Sequence, residues 1–301
     1  MKIILSRKGF DSSYGGVASP IFVEDKKFIS LPIPTDNPDY AKNNGYSVCY
    51  NDLNLYGHNY GKLVEDLTLN RKKAINRNMI AHLDPDIIRE VYHDRKSEWA
   101  PLFGQDGISQ GHLRLQKISK GDIFLFFGLF GMVEKINDIY KYVRAAKKFH
   151  MLWGWMQVED IISVDNSDNK IKEWMKYHPH FYLKNSKENT LYLASKDLMI
   201  DDKIILKNGG AGKFEKYSEE LQLTKQGSDR LTEWILPSCF YNSDDKKKMT
   251  YHQKNDLWRL TGDKVELKSV SIGQEFVIDC KDNSQLVEWI SNIIKGSLWR
   301  L

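Results

Sequence analysis

Ile123-Phe-Leu-Phe-Phe127, followed by Met151-Leu-Trp-Gly-Trp-Met-Gln-Val158, is the part of the chain that decides the fold. The first run is short, continuously apolar and β-prone. It is fed by the turn Lys120-Gly121-Asp122, the pattern of a buried strand. The second run has the same character, with Gly154 marking a bulge or a close approach of neighbouring backbone. Gly128 to Gly131 reads as a break after the first run, with Met132 to Ile136 as the next strand. Working outward, Met1-Lys-Ile-Ile-Leu5 is a short apolar strand. Ile29-Ser-Leu-Pro-Ile-Pro34 is extended, because proline biases its neighbour away from helix. Asn189 to Ala194, Trp258 to Leu260, Lys264 to Val270 and Glu275 to Asp279 add further strands.

Helices are expected in four places. One is short and lies within residues 61–80. A second starts at Pro85 and runs over Asp86 to Tyr92. A third covers residues 139–148. The fourth is Ser284 to Lys295, where Leu286, Val287, Ile290, Ile293 and Ile294 form an apolar stripe to pack on the sheet. Residues 99–116 hold glycine and amide residues at their centre and read as a loop; Asn208 to Lys213 reads as a glycine-rich turn. Many strands, few long helices and no regular βαβ alternation indicate an α+β fold. The expected core is a mixed or mostly antiparallel sheet or barrel with peripheral helices. A single large domain over 1–301 is expected, with a motif-rich part (1–116), a core (117–240) and closing strands and helix (241–301). Asp244 to Lys248 is the one low-complexity tract, expected as an exposed loop.

Composition narrows the function classes. An apolar content of 41% with 12% aromatic residues supports a sizeable core in a 301-residue chain. No run approaches the length of a membrane helix, and the N-terminal apolar stretch is too short for a signal peptide. Cys49, Cys239 and Cys280 have no paired spacing, so a cytoplasmic setting without a disulfide framework is expected. Basic and acidic residues nearly balance (44 against 40). The basic runs Lys141 to Lys148 and Lys246 to Lys248 are weaker than the stripe of a dedicated DNA binder.

The first strand runs into Ser6-Arg7-Lys8-Gly9-Phe10-Asp11-Ser12-Ser13-Tyr14-Gly15-Gly16. Two cations, a carboxylate, four hydroxyl groups of serine and tyrosine, and glycines in one loop suit the grip of an anion. The ordinary alternative is a polar surface turn. No P-loop pattern is present, and Gly209-Gly-Ala-Gly212 lacks the following helix of a dinucleotide fingerprint. His82-x-Asp84-x-Asp86 and His178-Pro-His180 have the residue types and spacing of metal ligands. Spacing alone does not bring three ligands together, so no metal ligand is assigned. Gln105, Gln110 and His112 share one glycine-broken segment. Their amides can read a base edge, His112 can move a proton near neutral pH, or all three can cap their own loop. Trp153, Trp155, Phe126 and Phe127 can wall a base-stacking pocket or be plain core, and the core reading is favoured. Glu275 is a general base, a ribose-binding carboxylate or a strand-end residue.

These motifs together resemble the nucleotide modification associated domain family, third type. The resemblance rests on Ser6-Arg-Lys-Gly-x-Asp-Ser-x-x-Gly-Gly16, His82-Leu-Asp-Pro-Asp86, Phe103-Gly-Gln-x-Gly107, Gln110-x-His-Leu113 and Gly121-Asp-x-Phe-Leu-Phe-Phe-Gly128. It continues through Gly154-Trp-x-Gln-Val158, His178-Pro-His180 and Gly273-Gln-Glu-Phe-Val277, and so spans nearly the whole chain. The resemblance also implies an arginine before Gly273, where this chain has Ile272. It implies a link to base modification in phages and bacteria, hence a nucleotide or modified nucleic acid as partner. It leaves the cofactor unknown, and the composition gives no expectation of a membrane partner. Residues 117–162 are also similar to the core of PUA-like domains, which hold modified bases in an aromatic pocket.

The leading expectation is an enzyme acting on a nucleotide or nucleobase. Asp11, His82, Asp84 and His112 would be its catalytic groups. Arg7, Lys8, Gly9, Gln105, Gln110, Trp155 and Glu275 would bind the substrate. The alternatives are a non-catalytic module that recognises modified bases and a scaffold with no ligand of its own.

Overall fold

The computed structural model describes residues 1–165, 169–244, 247–271 and 273–296. Ile272 and part of the Asp244 to Lys248 tract lie outside the described residues. The N-terminal part contains β1 (Lys2–Arg7), β2 (Ser19–Phe22), α1 (Pro38–Asn43), β3 (Asn54–Leu55), β4 (His58–Asn59) and α2 (Tyr60–Thr68). Next come β5 (Leu102–Gln105), α3 (Gly107–Leu115), β6 (Ile123–Ile136), β7 (Ile139–Tyr142) and β8 (Phe149–Ser163). β9 (Thr190–Ala194), β10 (Leu198–Ile200), β11 (Lys203–Leu206) and β12 (Ala211–Lys213) follow. The chain continues with β13 (Glu233–Pro237), β14 (Trp258–Thr261), β15 (Lys264–Lys268), β16 (Glu275–Asp279) and α4 (Ser284–Gly296).

Nine strands form one mixed sheet with the path β16-β1-β6-β8-β9-β5, to which β2, β7 and β12 attach. Its ends β16 and β5 do not pair, so the sheet is open rather than a barrel. This is the α+β class expected. The spine is β6, whose 14 residues are buried from Ile123 to Gly131. It pairs β1 and β2 in parallel, and β7 and β8 antiparallel. Four neighbours on one strand leave it no free edge over most of its length, so its apolar run has no polar alternation. One large apolar cluster covers the sheet, and a second gathers α2 with Tyr46, Tyr50 and Tyr60 in the N-terminal part.

Several expectations need correction. Gly128 and Gly131 do not break β6. A Cβ at Gly128 would come within 2.6 Å of the Lys8 carbonyl, so glycine is there to let the chain leaving β1 lie against the strand. Residues 99–116 are not a loop but strand β5 and helix α3. Residues 139–142 are strand rather than helix, because the turn at Asn137 and Asp138, both with positive φ, folds them back on β6. After Pro85 only a three-residue 3-10 turn forms, Arg89–Val91. The α4 stripe is real: Leu286, Ile290 and Ile294 are buried in the cluster that covers the sheet, with β11 and the Ser238–Phe240 turn as direct neighbours of the helix. At Gly154 the expectation of a bulge or close approach holds: the β6–β8 register slips beside it, and a Cβ there would meet the Gly212 carbonyl at 2.9 Å. Among the described residues no helix is long and apolar enough to cross a membrane.

His252 secures the segment that precedes β14 against β16. Its ring packs edge-on to Phe276 at 4.8 Å. Its Nδ1–H donates to the Thr250 carbonyl at 2.9 Å, and Nε2 accepts the Val270 N–H at 3.2 Å. The neutral ring is therefore the form the fold requires, and burial pushes its pKa down to about 4. The unfolded chain takes up this proton near pH 6.5 and the folded chain does not. Stability should therefore fall as pH drops from 6.5 to 4, by up to about 3 kcal/mol from this residue. Urea unfolding across that range checks this, and His252→Gln should show a shallower pH slope than the wild type.

Candidate functional site

Six stretches of chain converge on a cleft of about 440 Å³, lined among others by Arg7, Lys8, Gly9, Asp11, His82, Asp84, Gln105 and His180. That volume is within the range of small-molecule sites. The first wall is the end of β1 and its loop. Gly9 has φ +92, and a Cβ there would crowd Ser30 Oγ at 2.7 Å, so the loop can turn against residues 30–31 only with glycine at this point. Arg7 donates from Nη1 to the Ser271 carbonyl at 3.2 Å, and its buried Nε has no partner. Burial lowers the Arg7 pKa and the nearby Asp11 charge raises it, while guanidinium remains charged at any ordinary pH. Asp11 is engaged in its own loop: Oδ1 accepts the amides of Ser13 and Tyr14, both at 2.7 Å.

Lys8 points the other way, into a buried polar knot. Its Nζ lies 3.2 Å from Glu275 Oε1 and over the Phe103 ring at 4.6 Å. The same carboxylate oxygen accepts from Ser6 Oγ at 3.0 Å and from Gln105 Nε2 at 2.5 Å. Residues from β1, β5 and β16 are thereby joined through one carboxylate. Gln105 Oε1 meanwhile accepts the Asp106 N–H. Both halves of the Gln105 amide are occupied, so Gln105 positions the wall of the cleft rather than offering an edge to a base.

The opposite wall carries His82. Tyr46 fixes it from behind: its hydroxyl donates to the Ala81 carbonyl at 2.6 Å and accepts the Leu83 N–H at 3.3 Å. The His82 N–H donates to the Ile33 carbonyl. The ring itself makes no hydrogen bond to the described residues, keeps an edge open to the cleft, and has its pKa pushed down by burial to about 3. Asp84 accepts the Gly104 N–H on Oδ1 at 2.7 Å, with His178 Nε2 3.2 Å from that oxygen but poorly aligned. Burial on its own raises the Asp84 pKa. Contact with His178 and the nearby rings of His180 and His82 outweigh it and hold the carboxyl below its usual range. Burial lowers the His180 pKa, and the Asp84 charge opposes that shift. Asp86 does not join this group. Beyond the bend at Pro85 it is buried against Arg95, Tyr177 and Trp99, an ion pair of the core.

Of the residues singled out in the sequence, Arg7, Lys8, Gly9, Asp11, His82, Asp84 and Gln105 line this cleft. His112 and Glu275 line a neighbouring depression, where His112 contacts Thr250 and Tyr251. Gln110 accepts the Tyr192 hydroxyl at 2.9 Å, away from the cleft. Trp155 is core, its indole donating to the Gly209 carbonyl at 3.0 Å. His180, Tyr182, Lys184 and Asn185 are the residues that sequence reasoning left unassigned. The signal for His180 was the His178-Pro-His180 motif itself.

Residues 2–279 match the family model described as Nucleotide modification associated domain 3. No curated protein and no solved structure matches the chain.

The Lys8–Glu275 pair is nearly closed to water, with side chains 10% and 1% exposed. Removing one partner strands the other charge, at a cost of about 3–5 kcal/mol. Glu275→Gln and Lys8→Met should each lower the unfolding free energy by about that much. The double variant Lys8→Met with Glu275→Gln should cost clearly less than the two single changes summed, a coupling read by denaturant titration.

Proposed function

The chain belongs to the nucleotide modification associated domain 3 family, and on that premise we propose that it is an enzyme acting on a nucleotide or nucleobase held in the cleft between Arg7 and His82. The observation that carries this reading is the composition of the cleft. Arg7 and Lys184 bring positive charge, Asn185 and Gln274 bring amides, and His82 and Asp84 bring groups able to exchange a proton or polarise a substrate. All of these positions fall within the family match. Arg7 takes the phosphate, since its guanidinium lines the cleft and stays charged. His82 is the proton-transfer group: it is a neutral imidazole with a free ring nitrogen at the wall of the cleft. Asp84 holds the polar floor in place through Gly104.

The alternative, a module that stacks a modified base on the aromatic strands, has less support. Trp153, Trp155, Phe126 and Phe127 are buried within the sheet core rather than set along the cleft.

Purified protein should show a raised melting temperature with a nucleotide or an oligonucleotide, because a ligand that binds only the folded state stabilises it. Arg7→Ala should weaken that binding by about 10- to 100-fold, as expected for losing a charge-assisted contact. His82→Gln should retain binding and lose turnover, followed by mass spectrometry of the nucleotide. Binding without any change in ligand mass across all four bases overturns the enzymatic reading, and no binding of any nucleotide overturns both readings.

A further inference from the structure

His82, Asp84 and His180 each present a ligand atom, and these atoms all lie within 4.8 Å of one another. Two features show how the group is built. A Cβ on Gly104 would lie 2.3 Å from His180 Cδ2, so the ring occupies space that only glycine at that strand position leaves free. The tautomer of His180 is also set by its surroundings. Asn189 Nδ2 donates to the His180 carbonyl at 2.6 Å, which turns Asn189 Oδ1 toward the ring. Since Oδ1 can only accept, the 2.7 Å contact with His180 Nδ1 requires the proton to be on Nδ1.

His180 Nε2 is therefore a lone pair. It faces Asp84 Oδ2 at 3.8 Å, too far for a hydrogen bond and with no proton between them. Asp84 Oδ1 is already occupied by Gly104, which leaves Oδ2 directed at the group. His82 adds a ring with no hydrogen bond of its own. Lone pairs from two imidazoles and a carboxylate thus converge on one point at the wall of the cleft.

We propose that His82, Asp84 and His180 bind one first-row divalent transition metal ion, of the zinc or iron(II) type, with its remaining coordination positions open to the cleft. Two imidazoles with one carboxylate select such an ion over magnesium or calcium, which take oxygen ligands. Three protein ligands on one side are the arrangement of a site that keeps a position for water or substrate. Asn189 has the part of an outer partner that holds a ligating imidazole by its other nitrogen. Ligand atoms around one such ion stand about 3–3.5 Å apart, so binding draws the three side chains together by a small rotation of each. This inference stands on the side-chain geometry alone and needs no nucleotide; a neutral imidazole has a single lone pair, so with the ion bound His82 is a ligand rather than the proton-transfer group.

The test is titration of chelator-treated full-length protein with Co(II) and Zn(II), in the absence of any nucleotide. Wild type should take up one equivalent per chain, with the visible absorption of cobalt bound by nitrogen and oxygen. His82→Ala removes a ring that makes no hydrogen bond, so the metal-free melting temperature should not change, while affinity falls by about 100-fold or more. Asn189→Leu should weaken binding by about 10- to 100-fold with all three ligands still present. Stoichiometric binding lost in His82→Ala and in Asp84→Asn supports the site. Failure of the wild type to bind an equivalent, or unchanged affinity in both ligand variants, overturns it.

Discussion

The structure depends on β6 being a single uninterrupted strand. It carries β1 and β2 along one side and β8 and β7 along the other, so every other part of the main sheet is placed by reference to it. Because β1 and β2 run parallel to β6 on the same side, the chain between them must leave the sheet and return to it. That excursion is the Lys8-to-Ala18 loop, and it forms one wall of the cleft. The site exists where the sheet's spine forces its neighbours apart, much as ligands in open sheets gather where strand order changes.

A second consequence of this layout is that polar groups at the cleft are held by core interactions. Glu275 is a buried carboxylate shared by Ser6, Lys8 and Gln105, three residues of two other strands. Tyr46 is a buried ring whose hydroxyl brackets His82. In both cases the side chain facing the cleft is oriented by a partner embedded in an apolar cluster, where an unmade hydrogen bond is costly. The geometry of the cleft is therefore as stiff as the core behind it.

How much of this was legible in the sequence follows from what glycine does. Glycine inside an apolar run ordinarily signals an end or a bulge. At Gly128 and Gly104 it signals something else: a foreign carbonyl in one case and an imidazole ring in the other occupy the place of a side chain. The residues responsible, Lys8 and His180, are distant in sequence, so no local pattern could identify them; β6 reads as interrupted and β5 as part of a loop. Arg7, Asp11 and Gln105 were legible as cleft residues because each stands at or near a strand end in a polar, glycine-broken motif, and His82 and Asp84 because of their ligand-like spacing. Asp84 and Asp86 share one motif, of which only Asp84 is expected at the site, and the bend at Pro85 sends Asp84 to the cleft and Asp86 to Arg95. His112 and Gln110 belong to a stretch that reads as loop. Once it is helix α3, their side chains are directed by helical spacing to Thr250 and Tyr192 instead.

The pairing of β1 with β16 brings Lys2 beside Asp279. The cleft draws on residues from Arg7 through His82, Gln105 and His180 to Gln274, so its walls span nearly the full contact order of the chain. Loop closure on that scale carries most of its entropic cost before any contact is gained. The cleft is complete only when these distant stretches have come together, so nothing short of the complete topology presents it. A molecule seated there acts as a non-covalent crosslink between the two ends of the fold, favouring the closed chain over every partly open one.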